Sequence, residues 1–131
     1  MNEVRKQLRS MLRVEPRETG FRAVLRVDPA FSLLPDHFAG NPILPGMCLV
    51  QAILLAGAQS QGVANLRLCS LKNAKFLGPA VPGDEVVIDA EVTAGDGGEL
   101  RVKANLSIGG KRMAQIVLNA RPELAGQEGA A

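Results

Sequence analysis

From Gly46 onward the chain has a run whose apolar residues cannot be confined to one side of a helix: Met47, Leu49, Val50, Ala52, Ile53, Leu54, Leu55, Ala56 and Ala58 fall on every face. A surface helix keeps a polar stripe, so a segment apolar all round must be enclosed by the rest of the fold. The apolar stretch from Leu44 to Ala58 is shorter than the roughly 20 residues needed to cross a bilayer and is interrupted by Gln51, so it is not a transmembrane helix. Pro45 suits the first helical position, because its missing N–H is one of the donors that a helix start leaves unpaired. The helix is expected to begin near Pro45, with free amides around Gly46, Met47 and Cys48. Such a terminus combines unpaired N–H groups with the positive end of the helix dipole, and can hold an oxyanion or a polarised carbonyl. Gly46 has no side chain to block a ligand from the backbone. His37 precedes it by nine residues and Gln51 follows it by five.

The segments around this helix have the period of strands. Phe21, Ala23, Leu25 and Val27 alternate with Arg22, Val24, Arg26 and Asp28. Residues 28–45 contain Pro29, Pro35, Pro42 and Pro45 and form the loop that carries His37. Gly62 and Asn65 mark the helix exit, and Leu66 to Leu77 reads as a strand. A turn or bulge at Gly78, Pro79, Pro82 and Gly83 leads into alternating runs at 86–93, 100–108 and 114–120, joined by glycine-rich hairpin signals at 95–98 and 109–110. Residues 2–13, with Val4, Leu8, Met11 and Leu12 at helical spacing, read as a short amphipathic helix covering one end of the sheet. An antiparallel sheet wrapped around one enclosed helix satisfies this pattern, although helix-first α+β folds of other topology fit it as well.

HFAGNPILPG, His37 to Gly46, closely resembles the H-F-x-G-x-P-x-x-P-G signature of the hotdog-fold 3-hydroxyacyl-[acyl-carrier-protein] dehydratases of the FabA/FabZ type. KNAKFLGPAVPGDEV, Lys72 to Val86, is similar to a second segment of that family, and the resemblance spans roughly residues 21–121. It implies an α+β hotdog fold in a single domain, 1–131. Residues 1–20 would be an N-terminal helix and linker, 21–121 the hotdog core and 122–131 a frayed tail. It also implies protomers paired edge to edge, each site combining the histidine of one with a helix carboxylate of the other. His37 matches the family's histidine, the general base that removes the proton α to a thioester carbonyl. The position fourteen residues on, where the family has Glu or Asp, is Gln51. By the same resemblance the N–H groups of Gly46 and Met47 polarise the carbonyl and the backbone of Ile43 orients the imidazole. Phe38 and Phe76 are candidates to line an acyl channel, beside Phe31 and Met47, although core packing is the favoured role for each taken individually.

An amide at position 51 can bind a 3-hydroxyl but cannot give it a proton, and general acid–base help is typically worth about 10²–10⁴-fold. On an otherwise apolar helix it must also find a polar partner, so it is expected to face a polar pocket. Asp36 is a weaker substitute acid, because it should point away from His37 in an extended loop. Asp84 and Glu85 read as structural residues of the turn. Three functions follow: a 3-hydroxyacyl thioester dehydratase of fatty-acid or polyketide/polyene synthesis; a subunit impaired alone that pairs with a Glu- or Asp-bearing hotdog partner; or an acyl-thioester-binding protein or thioesterase. The expected partners are an acyl carrier protein or coenzyme A thioester and further hotdog subunits, as a homodimer, a higher oligomer of dimers or a heterodimer.

Composition narrows the remaining classes. There is no Trp or Tyr and there are four Phe, so little is available to stack on bases, and nucleic acid is not expected. Residues 1–26 carry seven basic and three acidic groups, a basic edge that could steer an acidic carrier or be a solvated helix face. One histidine and no Cys-x-x-Cys spacing give no zinc ligand set, and neither a metal nor a cofactor is expected. Cys48 and Cys69 both read as reduced, buried packing residues. The N-terminus MNEVRKQLRSML lacks a continuous apolar stretch, and a cytoplasmic location is expected, with no membrane association.

Overall fold

The computed structural model describes residues 3–31 and 43–123. Helix α1 (Glu3–Met11) is followed by strands β1 (Leu12–Arg17) and β2 (Gly20–Arg26), the central helix α2 (Gly46–Gln61), and strands β3 (Asn65–Phe76), β4 (Glu85–Ala94), β5 (Leu100–Ile108) and β6 (Lys111–Glu123). The strands form one six-stranded sheet in the order β1-β2-β4-β5-β6-β3, antiparallel throughout. This is the α+β hotdog arrangement that the sequence pattern and the family resemblance imply.

The alternation of each strand sets which residues meet α2. Ala23 pairs with Ile88, Ile88 with Leu106, and Ala104 with Ile116, so one face of the sheet is a continuous apolar surface. These residues are all within 1% of fully buried, as are Phe21, Leu25, Val86 and Leu118. Against them lies α2, on which Cys48, Leu49, Val50 and every residue from Ala52 to Ala58 are buried. The enclosure expected of a helix apolar on all sides is therefore met. A Cβ on Gly57 would stand 2.7 Å from Leu66 Cδ1, so glycine there lets β3 approach the helix.

The ends of α2 have different solutions. At its exit Gly62 adopts φ 70°, and the N–H groups of Gly62 and Val63 bond to the carbonyls of Gln59 and Ala58 at 3.3 and 3.1 Å, closing a Schellman turn. At its entry Pro45 is the N-cap, with ψ 142°, and not the first helical residue: its backbone is still extended, and the helix begins at Gly46.

Two other expectations are corrected. Residues 12–17 are not helix or linker but an edge strand in register with β2, Leu12 opposite Leu25 and Arg17 opposite Gly20. Pro16 is tolerated there because an edge strand has an N–H side without a ladder partner. Helix α1 packs against α2 and β2, with Leu8 fully buried. At the other terminus β6 continues through Pro122 to Glu123, opposite Leu66 and Asn65, so the tail begins two residues later than expected.

Candidate functional site

The start of α2 is held in place from outside the helix. Leu44 N–H donates to the Ala80 carbonyl at 2.7 Å, and Leu77 N–H to the Met113 carbonyl at 2.8 Å. The turn that provides Ala80 is closed by Asp84, whose carboxylate accepts from Val81 N–H at 2.9 Å while its own N–H donates to the Val81 carbonyl at 3.0 Å. Asp84 and the neighbouring Gly83 also exchange hydrogen bonds with Val27 at 2.9 and 2.8 Å. The PGD turn is thus the structural brace that the sequence reading assigned it to be.

Cys48 N–H is already committed, to the Pro45 carbonyl at 2.9 Å, because the helix opens with a tight first turn. The expectation of a free amide there is corrected. For the N–H groups of Gly46 and Met47 no acceptor occurs among the described residues, and no side chain caps the helix. These two donors stand at the positive end of a 16-residue helix, a position that can hold an oxyanion or a polarised carbonyl.

Gly46 borders an open cavity of about 510 Å³ with a mostly apolar lining that includes Ile43, Leu49, Phe76, Leu77 and Met113. The Phe76 ring lies over the glycine: a Cβ there would meet its carbons at 3.0, 3.3 and 3.4 Å. Phe76 is 47% exposed and Met47 54%, so neither is a core residue, whereas Phe31 is 2% exposed and belongs to the core. Of the acyl-channel candidates, Phe76 therefore stands beside Gly46, while Phe38 lies outside the described residues. His37 and Asp36 lie outside them as well. Ile43 is half-buried on the cavity wall, with its expected imidazole partner not described.

Gln51 does not open onto this cavity. It lies five residues along α2 from Gly46, about 140° around the helix. There it lines a second concavity of about 440 Å³ with Val4, Arg5, Leu54, Asn65, Arg67 and Leu68. The expectation of a polar pocket is met, and its polar members are Arg5, Asn65 and Arg67. Arg5 Nη2 donates to Asn65 Oδ1 at 2.7 Å, and Asn65 Nδ2 donates to Glu123 Oε1 at 2.8 Å. Sequence reasoning missed these residues: Arg5 looks like one of several cations on a solvated helix face, and nothing local shows that α1 places it beside β3.

The cysteines differ from one another. Cys48 is buried, and burial pushes its thiol pKa up. Cys69 is exposed, which corrects the reading of both as packing residues; it sits where the register of β3 against β6 shifts between Leu68 and Ser70. Such a bulge leaves its extra residue out of the alternation that buries its neighbours. Among the described residues no cluster of three or more metal-ligating side chains occurs, and no helix is long and apolar enough to cross a membrane.

Residues 13–114 match the family described as ApeI-like: ApeI dehydratase. The chain belongs to this family. Among curated relatives it is similar to the 3-hydroxyacyl-[acyl-carrier-protein] dehydratase FabZ of Acetivibrio thermocellus, with 32% identity over 80% of this chain and 75% of that protein. It is also similar to FabZ of Caulobacter sp., with 29% identity over 73% of this chain. That match covers 62% of the Caulobacter enzyme, less than two thirds of its length. Among solved structures, a chain of the dehydratase heterocomplex ApeI:P from Xenorhabdus doucetiae has the same fold, with TM-score 0.62 and 20% identity over 83% of this chain and 94% of that one. The family resemblance read from the two motifs is thereby borne out.

Proposed function

We propose that this protein is a 3-hydroxyacyl thioester dehydratase, eliminating water from a (3R)-3-hydroxyacyl thioester to give the trans-2-enoyl thioester. The observation that carries the reading is the start of α2, where Gly46 and Met47 N–H have no acceptor among the described residues and Gly46 borders an apolar cavity in which a side chain at position 46 would collide with Phe76. A thioester carbonyl bound there is polarised as negative charge develops on its oxygen, which acidifies the α-carbon. His37 takes the α-proton, the electrons of that C–H bond form the new double bond, and the C3–O bond breaks. The departing hydroxyl needs a proton to leave as water. Gln51 can hold it but not supply one, and within this chain the His37 imidazolium is the group that can return the proton.

The carrier is an acyl carrier protein, as in the names of the FabZ relatives, in cytoplasmic fatty-acid or polyketide/polyene synthesis. Gly46 and Gln51 line separate cavities of one chain, which supports a site completed across a subunit boundary, the helix start and His37 from one subunit facing the position-51 side of the other. The test is enoyl formation from a 3-hydroxyacyl-carrier thioester by wild type, His37→Ala and Gln51→Glu. His37→Ala should lose about 10²–10⁴-fold, and Gln51→Glu should exceed wild type. Equal turnover by wild type and His37→Ala would reject the reading.

A further inference from the structure

From Cys48 to Ala58 every residue of α2 is buried except Gln51, which is half-buried on the second concavity. The charge around this one polar side chain has a single sign. Arg5 comes from α1 and Arg67 from β3, Asn65 adds a second amide, and no acidic residue lines the concavity. Glu123 stands behind Asn65, whose Nδ2 donates to it at 2.8 Å while its Oδ1 accepts from Arg5 at 2.7 Å, which ties the Arg5 guanidinium to β3. Among the described residues no carboxylate forms an ion pair with Arg67.

Val4, Leu54 and Leu68 border the same space, so both cations stand against apolar walls. There a charge acts on its neighbours more strongly than in open water. A guanidinium stays protonated at any working pH, so neither arginine can give the proton that a carboxylic acid would. Either can stabilise negative charge with a planar fork of donors. This is the demand that Gln51 leaves unmet. When the C3–O bond breaks, its electron pair goes to oxygen, and without an acid that oxygen gains negative charge until a proton reaches it.

We propose that Arg5 and Arg67, with Gln51 and Asn65, form an oxyanion receptor that holds the 3-hydroxyl as it departs, replacing the missing acid by fixed charge. The hydroxyl leaves as hydroxide, the His37 imidazolium formed by removal of the α-proton protonates it to water, and the imidazole is regenerated. The role in departure rests on the dehydratase reading, whereas the receptor rests on the composition of the concavity.

The test compares two N-acetylcysteamine thioesters, (3R)-3-hydroxybutyryl and 3-chlorobutyryl, with wild type and variants. Chloride departs without a proton, so the hydroxy substrate alone depends on the receptor. Arg67→Gln should lower kcat on the hydroxy substrate by about 10²–10³-fold, the typical cost of one oxyanion-stabilising group, with KM little changed. On the chloro substrate, after subtraction of the uncatalysed rate, the loss should nearly vanish. Arg67→Lys keeps the charge and should retain most of the activity, and Arg13→Gln on β1, outside the concavity, should match wild type. In a Gln51→Glu background, where a carboxylic acid is restored, Arg67→Gln should cost less than it does alone. Equal losses on both substrates, or a full-rate Arg67→Gln, would overturn the proposal.

Arg67 is exposed on β3, so its variants do not challenge folding. Arg5→Gln gives up the tie to Asn65 and is followed by thermal unfolding as well; it should show the same split between substrates, and a loss on both would remove Arg5 from the receptor. A readout without turnover is the NMR signal of the Gln51 side-chain amide as sodium formate replaces sodium chloride at constant ionic strength. It should shift saturably in wild type and not in Arg67→Gln. A wild type silent on both substrates yet binding formate would remove the dehydratase reading and leave the receptor standing. The absence of a saturable shift, or the same shift in Arg67→Gln, would overturn the receptor itself.

Discussion

Gly46→Ala separates the chemistry of the helix start from its stability. The new Cβ would lie 3.0 Å from the tip of the Phe76 ring and 3.3 and 3.4 Å from the adjacent ring carbons. Relief needs a shift of about half an ångström to reach ordinary carbon–carbon contact near 3.5–4.0 Å. Phe76 is 47% exposed, and the colliding atoms are the far end of its side chain, so the ring can swing outward without disturbing the core. Alanine in place of glycine in a helix recovers about 0.5–1 kcal/mol of backbone entropy, which offsets the lost ring contact. The expected net change in stability is below about 1 kcal/mol, a Tm shift of no more than about 4 °C. On the proposed dehydratase reading, the methyl group nevertheless crowds the helix start that would receive the carbonyl. Loss of one such donor typically costs about 10²–10³-fold in kcat, and a loss of that order is expected in enoyl formation. Adding Phe76→Ala to Gly46→Ala should recover part of the loss, because the ring then has no position to be driven into. Gly57→Ala is the contrast: its Cβ would stand 2.7 Å from Leu66 Cδ1 inside the core, and overpacking of this kind costs about 1–3 kcal/mol. Full turnover by Gly46→Ala, or a Tm loss as large as that of Gly57→Ala, would refute the account of the helix start.

The other expectations are simpler to check. Gly62→Ala places a β-carbon at φ 70° in the Schellman turn and should lower stability by about 1–2 kcal/mol in thermal unfolding. In native protein at mildly alkaline pH, a maleimide should label Cys69 promptly and Cys48 only on unfolding; burial limits access to Cys48, and its raised pKa reduces the thiolate fraction. Asp84→Ala removes the acceptor for Val81 N–H and should cost about 1 kcal/mol by denaturant titration, loosening the turn that holds Leu44.

Much of this architecture is written locally. The strands β2, β4 and β5 follow from period-two alternation, because each has one face on the core and one in solvent. Central helix α2 is legible for the opposite reason, being enclosed on nearly all sides. β1 was not legible: LRVEPR is short, carries three charges and a proline, and becomes a strand through pairing with β2. Cys69 was misread because a bulge interrupts the alternation on which a burial expectation depends. The lack of a described acceptor for Gly46 and Met47 N–H agrees with the expectation from Pro45 and the helix start, but Cys48 was not seen to be committed, since that depends on the pitch of the first turn.

By itself, therefore, the sequence determined the enclosed helix, the strand alternation around it, the family motifs and the presence of an amide where a carboxylate is expected. These depend on residue type and spacing along a few turns or strands. Only the tertiary structure decided that Phe76 covers Gly46, that Gln51 lines a concavity with Arg5 and Arg67 instead of the Gly46 cavity, and that β3 is left as a basic, partly apolar edge. Each of these joins residues from separate elements, Arg5 and Asn65 being 60 positions apart, and such meetings are set by strand order and helix rotation, which no local period encodes.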